Sequence, residues 1–216
     1  MDSVNARVET RPTQEYSSLD IAYDWFNERL FGGHLPACMI TLHRKANAAG
    51  YYAHERWQSR FAKGEKTSEI ALNPDAFIGR TDMEILSTLV HEMAHLWQFY
   101  FGEPSRNGYH NKSWGDKMES IGLMPSETGM PGGKKTGQKM THYIILDGPF
   151  NVACKDLLDT GWSFFWESET WDAQAKPKPV SKVKYTCPTC GQNAWAKPGA
   201  QLGCWDCNQF MDTFPE

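Results

Sequence analysis

Three side chains in the run Leu89-Val90-His91-Glu92-Met93-Ala94-His95-Leu96-Trp97 can do chemistry together if the run is helical. A helix completes a turn in 3.6 residues, so His91 and His95 project from one face, one turn apart. Two imidazoles so placed can bind one Zn²⁺, and Glu92 lies close enough to take a proton from water. The pattern H-E-x-x-H is short and arises by chance, so its surroundings decide. Thr81-x-x-Glu84 reads as a capping box that opens a helix. Leu86, Leu89 or Val90, Met93 and Trp97 then follow as an apolar stripe at helical period. His91, Glu92 and His95 lie off the centre of that stripe, towards Thr88 and Gln98, where a cleft can form. The competing account is an amphipathic helix with two incidental histidines. The capping box and a third-ligand candidate downstream weigh against it.

A catalytic zinc takes three protein ligands and keeps an open position for water. The close third histidine of H-E-x-x-H-x-x-G-x-x-H is absent, because Phe101 stands in its place. Two candidates remain. Glu119 sits on a second helix, which Ser113-x-x-Asp116 can cap, with Trp114, Met118 and Ile121 inward and Gly122 closing it. His110 lies in the loop that enters that helix. Helical glutamates are usually solvated and loop histidines usually superficial, so spacing alone favours neither.

A second ligand set stands near the C-terminus. Cys187-Pro188-Thr189-Cys190 and Cys204-Trp205-Asp206-Cys207 are two C-x-x-C knuckles separated by thirteen residues, the spacing of a zinc ribbon. Four thiolates close the coordination shell, so this zinc is structural, one catalytic and one structural ion in all. No βαβ pattern surrounds either pair, which excludes a thioredoxin-like redox motif. Cys38 and Cys154 are isolated and read as small buried apolar residues. His34, His43 and His54 are lone histidines without a ligand pattern.

The elements that must position these groups follow from the rest of the chain. Its 216 residues allow one fair-sized domain and a small appendage. The net charge of −4 gives no global case for nucleic acid or membrane binding, so any such surface is local. No apolar run approaches a bilayer span and the start of the chain is polar, so the expected location is the cytoplasm. Residues 1–16 read as a flexible leader. Ser17 or Ser18 can cap a first helix carrying Leu19, Tyr23, Phe26 and Leu30, ended by Gly32-Gly33. Met39 to His43, Gly50 to Trp57 and Glu69 to Leu72 read as strands, and the fold class is α+β with an antiparallel or mixed sheet. Gly132-Gly133-Lys134-Lys135-Thr136 invites a phosphate-loop reading. It fails, because Lys134 stands where the glycine before Lys-Thr is required. That leaves a locally basic loop (Lys134, Lys135, Lys139) and then a strand, His142 to Leu146. Aromatic residues between Phe150 and Trp171 pack as a last element. Residues 17–172 thus form the main domain, 173–184 a Lys/Pro linker and 185–216 the ribbon.

Leu30-Phe31-Gly32-Gly33-His34-Leu35-Pro36, Ile70-Ala71-Leu72-Asn73-Pro74, Thr88 to His95, and Gly108-Tyr109-His110 together resemble the SprT-like metalloprotease family. The resemblance implies a compact zincin-type domain and an enzyme cleaving peptide bonds. It implies His110 as the third ligand beside His91 and His95, and Glu92 as the acid/base. It further implies protein substrates that are DNA-associated or crosslinked to DNA. Single-stranded DNA would then meet the ribbon and the Lys134–Lys139 loop. Tyr109, His142 and Tyr143 are the candidates for stabilising an oxyanion. The alternative from another class is a non-catalytic adaptor of the same fold that binds nucleic acid or protein through the ribbon.

Overall fold

Thr81 sets the start of the helix that carries the histidines. In the computed structural model, which describes residues 12–106, 108–169 and 182–213, its hydroxyl accepts from the Glu84 amide. The Glu84 carboxylate reaches back to the Thr81 amide at 2.7 Å, completing the capping box. Helix α2 then runs Asp82–Phe101, with Asp82 and Glu84 meeting the positive end of its dipole. Thr81→Ala removes one half of the box and is expected to cost about 1 kcal/mol of stability, read from the midpoint of denaturant unfolding. An unchanged midpoint would show that packing alone fixes this end.

Burial on α2 is wider than a single stripe. Leu86, Leu89, Val90, Met93, Ala94 and Leu96 are all wholly buried, whereas Trp97 is half-buried. The helix is enclosed on several sides and forms the axis of the core.

One side is a three-stranded sheet of β1 (Met39–Leu42), β2 (Gly50–Gln58) and β3 (Lys66–Leu72) in the order β1-β3-β2. Strand β1 runs parallel to β3 with Ile40 beside Ile70, and β2 runs antiparallel with Gly50 beside Leu72. The mixed sheet follows from two different connections. The turn from β2 to β3 makes a hairpin, whereas β1 reaches the far edge of β3 only by crossing over. Central β3 is buried from Ser68 to Leu72: Ile70, Ala71 and Leu72 are its apolar part, and buried Ser68 and Glu69 are hydrogen-bonded to Tyr52 and Thr41. The β2–β3 register shifts between Ala53 and Trp57, where Glu55 has φ 44°.

Helix α1 spans Pro12–Phe31 and buries Leu19, Ala22, Tyr23 and Phe26. It begins more than a turn before Ser17 and Ser18, so neither caps it. Pro12 opens it, a favoured first-turn position for a residue without an amide hydrogen. Residues 12–16 are therefore helical, while residues 1–11 lie outside those described. Gly32 and Gly33, both at positive φ, end the helix as expected.

After α2 comes α3 (Lys112–Ser120), whose cap is Asn111 and not Ser113. The Asn111 Oδ1 accepts from the Trp114 amide at 3.1 Å, whereas Ser113 Oγ accepts from the Glu103 amide. Trp114, Met118 and Ile121 are buried as their period requires. A hairpin of β4 (Leu123–Ser126) and β5 (Thr141–Ile144) follows, then α4 (Pro149–Asp159). Strand β5 stops two residues short of Leu146, because Asp147 takes a positive φ in the turn into α4. The Gly-Lys-Lys-Thr run lies in the β4–β5 connection, which holds no helix and so no phosphate loop. Beyond α4, Trp162 and Phe164 pack on the core, while Phe165 and Trp166 remain exposed. None of these helices is long and apolar enough to cross a membrane.

The chain divides into two compact units, Met1–Thr170 and Trp171–Glu216. Within the second, β6 (Val183–Thr186) pairs with β7 (Asn193–Ala196), and β8 (Gly203–Cys204) with β9 (Gln209–Phe210). Its buried apolar residues among those described are Tyr185, Cys187 and Cys204. A core this small does not offset the chain entropy lost on folding, and a metal held by the four ribbon cysteines would supply the missing stability. The Lys/Pro linker, 173–184, falls mostly outside the described residues.

Candidate metal centre and active site

Helix α2 sets His91 and His95 with ring centroids 5.2 Å apart. The third histidine arrives from the loop ahead of α3. Its backbone is tied in both directions to Gly137 in the β4–β5 connection, His110 N to Gly137 O at 2.8 Å and Gly137 N to His110 O at 3.0 Å. This pins the His110 ring 5.5 Å from His91 and 4.7 Å from His95. One nitrogen of each ring then lies within 4.8 Å of the others. Glu119 is elsewhere: its carboxylate pairs with exposed Lys135 at 2.7 Å.

Hydrogen bonds decide which nitrogen each ring offers. A carbonyl oxygen can only accept, so the Gly137 carbonyl takes the Nδ1 proton of His110 at 3.2 Å and leaves Nε2 as a lone pair. The Gln98 amide does the same for His95, Nδ1 to Oε1 at 3.4 Å. Its orientation is fixed because Gln98 Nε2 donates to the Glu103 carbonyl (3.0 Å) and to Asn111 Oδ1 (2.7 Å). The cap of α3 thus also braces a ligand on α2. His91 Nδ1 meets Nδ1 of His142 at 3.1 Å. All three rings therefore have Nδ1 engaged by protein.

Electrostatics agree with a metal-binding set. Desolvation, then the neighbouring imidazoles, holds His91 well below its usual pKa and His95 down to about 3; desolvation also lowers His110. Neutral rings with a free lone pair are what a divalent cation requires. Trp114 walls the cluster, its ring 4.4 to 5.2 Å from all three imidazoles. The donor set thus fits Zn²⁺ by residue type, number and protonation.

Glu92 is buried beside the cluster and is not part of it. It lies against β2 because residue 50 has no side chain. A Cβ at Gly50 would meet Thr88 Cγ2 at 3.0 Å, Glu92 Oε1 at 3.2 Å and the Ala71 carbonyl at 3.0 Å. Burial pushes the Glu92 carboxyl up to about 8, opposed weakly by Lys45. Among the described residues no protein group hydrogen-bonds it, so its oxygens are not committed to structure.

Of the other histidines, His34 contacts the Phe31 carbonyl, His43 stands edge-on to Tyr51 and His54 edge-on to Phe99. None joins the cluster. His142 does touch it, but both of its ring nitrogens are occupied, by His91 and by Ser87 Oγ at 2.9 Å. It has no donor left for an oxyanion. Gly50, Ser87 and Gly137 escape sequence reasoning, and His142 enters it only as an oxyanion candidate, because no local pattern ties them to His91. Asn111 did carry a signal, as a strong capping residue three before Trp114.

In the ribbon the four sulfur atoms of Cys187, Cys190, Cys204 and Cys207 lie within 4.8 Å of one another. The Cys190 backbone amide leads the hydrogen bonds that pull the Cys187 thiol down to about 7, favouring the thiolate a metal binds. Cys38 and Cys154 are outside the set, and burial pushes both thiols up to about 12.

The chain matches the SprT-like family over residues 19–137, more than half its length, and the match spans all three histidines and Glu92. A 50-residue stretch is 48% identical to a Salmonella typhimurium protein described as "Uncharacterized protein in mucB 3'region". That stretch covers 23% of this chain and 68% of the Salmonella protein. The fold, the H-E-x-x-H helix with its histidine cluster, and the extent of the match agree: this chain belongs to the SprT-like family.

Proposed function

We propose that this protein is a zinc metalloendopeptidase that cleaves protein substrates, among them DNA-associated or DNA-crosslinked proteins. The observation that carries the reading is the convergence of three imidazoles, one nitrogen of each within 4.8 Å of the others, with uncommitted Glu92 next to them in sequence. His91, His95 and His110 would hold the catalytic Zn²⁺. Bound there, the metal supplies a Lewis acid that polarises a carbonyl and lowers the pKa of water. Glu92 takes the proton of the attacking water at its carboxylate and delivers it to the departing amine. Gly50 leaves room for that carboxylate against β2, and Trp114 keeps the ligand side of the cleft dry. Cys187, Cys190, Cys204 and Cys207 hold the structural Zn²⁺.

The DNA part of the proposal rests on the ribbon. Trp195, Trp205 and Phe210 are 61%, 96% and 74% exposed, and Lys184 stands across from Trp195 in the β6–β7 pair. Exposed aromatics with a nearby cation suit stacking on unpaired bases. The Lys134–Lys139 loop contributes less, since Lys135 pairs with Glu119 and Lys134 lies 3.8 Å from Glu127.

Digestion of an unstructured protein by zinc-loaded enzyme tests the reading, with and without single-stranded DNA across a salt series. Cleavage is expected, with stimulation by DNA that fades as salt rises. Elemental analysis is expected to give two zinc ions per chain, falling to one in Cys187→Ser. Equal cleavage with and without DNA would retain the peptidase and remove the DNA role. Two zinc ions with no cleavage under any condition would favour the adaptor.

A further inference from the structure

The hydrogen bonds behind His91 admit one arrangement of protons. The Glu84 carbonyl can only accept, so the Ser87 hydroxyl donates to it at 2.8 Å. With that proton committed, Ser87 Oγ accepts from Nε2–H of His142 at 2.9 Å. A neutral imidazole carries one N–H, so His142 Nδ1 is then a lone pair and accepts from Nδ1–H of His91 at 3.1 Å. His91 keeps its own lone pair on Nε2. The chain runs Glu84 carbonyl, Ser87, His142, His91, and with both rings neutral no other ring proton placement satisfies every contact.

We infer that His142, oriented by Ser87, is a positioning residue that fixes His91 in the one tautomer able to ligate a divalent metal. The inference rests on the metal centre proposed above. His95 and His110 obtain the same service from oxygen acceptors, the Gln98 amide and the Gly137 carbonyl. His91 has no oxygen in that place. A second imidazole substitutes for one, and it can accept only while its own proton is drawn to the far side. Ser87 does this. The guanidinium of Arg80 lies near His142. Arg80 itself is anchored on the same turn of α2, donating to Thr88 Oγ1 at 3.0 Å and to the Glu84 carbonyl. Outer partners of this kind commonly raise metal affinity by orienting the ligand ring.

The test uses the full chain and Zn²⁺ itself as probe. His142→Phe keeps a ring of similar size and removes the acceptor. His142→Asn keeps an oxygen near the Nδ1 place. Ser87→Ala leaves His142 present and frees its tautomer. Zinc affinity is measured by competition with a chromophoric chelator, and the His91 ring proton is located from ¹⁵N shifts in zinc-free protein. His142→Phe is expected to weaken zinc about 10- to 100-fold and to lose the Nδ1–H form of His91. His142→Asn should recover much of both, and Ser87→Ala should fall between. Wild-type affinity and an unchanged His91 tautomer in His142→Phe and Ser87→Ala would overturn the role. Equal losses in the Phe and Asn variants with the tautomer unmoved would also overturn it, since packing would then be the cause. Neither readout needs a substrate, so failure of wild-type enzyme to cleave protein removes the proposed activity and leaves this assignment standing.

Discussion

Glu92→Gln is expected to lower peptide-bond cleavage about 10²- to 10⁴-fold while both zinc ions stay bound. Glutamine keeps the shape of the side chain and cannot take a proton. Glu92 lies outside the three-histidine group, so metal content should be unaffected. Stability gives an independent check with a definite sign. Burial raises the folded carboxyl from its ordinary value of 4.5 to about 8, so the fold favours the protonated form. Metal-free wild type should therefore lose stability as pH rises from about 4.5 to about 8, whereas metal-free Glu92→Gln should not lose this contribution. Single-turnover proteolysis reads the first effect and pH-dependent melting the second. Retained cleavage in a zinc-replete Glu92→Gln protein would transfer the acid/base role to another group.

The second large effect is expected at His110. His110→Ala should cost more zinc affinity than the about 10- to 100-fold typical of losing an outer partner, because it removes one of three donors. The backbone bridge to Gly137 does not involve the side chain, so the loop should stay in place and the apo fold should melt normally. Glu119→Ala should leave the metal alone. It breaks an exposed ion pair with Lys135, worth about 0 to 1 kcal/mol. Zinc competition on the two variants decides between the two candidates. The reverse order would place a carboxylate in the centre, against the geometry of the histidine cluster.

What the sequence makes legible is local. The Thr81–Glu84 box, the period of α2 and the two C-x-x-C knuckles each operate within a few residues of the chain, and each is found where its pattern points. The three strands also follow their residue types, with ends shifted by up to three residues. Errors occur where two local signals compete. Ser113 and Asn111 are both good caps, and the choice depended on the Glu103 amide claiming Ser113. Pro12 and Ser17 are both residue types that open helices, and α1 already includes Pro12, with Glu15 accepting from the Phe165 amide. The outer partners of His91 and His110 could not be read locally. Gly137 and His142 reach their ligands through tertiary folding, and nothing in their neighbours announces it.

The bridge from His110 to Gly137 and the contact from His91 to His142 also set an order in time. A chain emerging from the ribosome displays H-E-x-x-H well before either partner exists. Both partners belong to the β4–β5 hairpin, about 50 residues downstream of His91. Until that long loop closes, the histidine rings sample either tautomer and the third donor is unplaced. A half-made molecule therefore carries the motif without the centre. If the centre cleaves peptide bonds as proposed, that capacity is absent until the hairpin is in place.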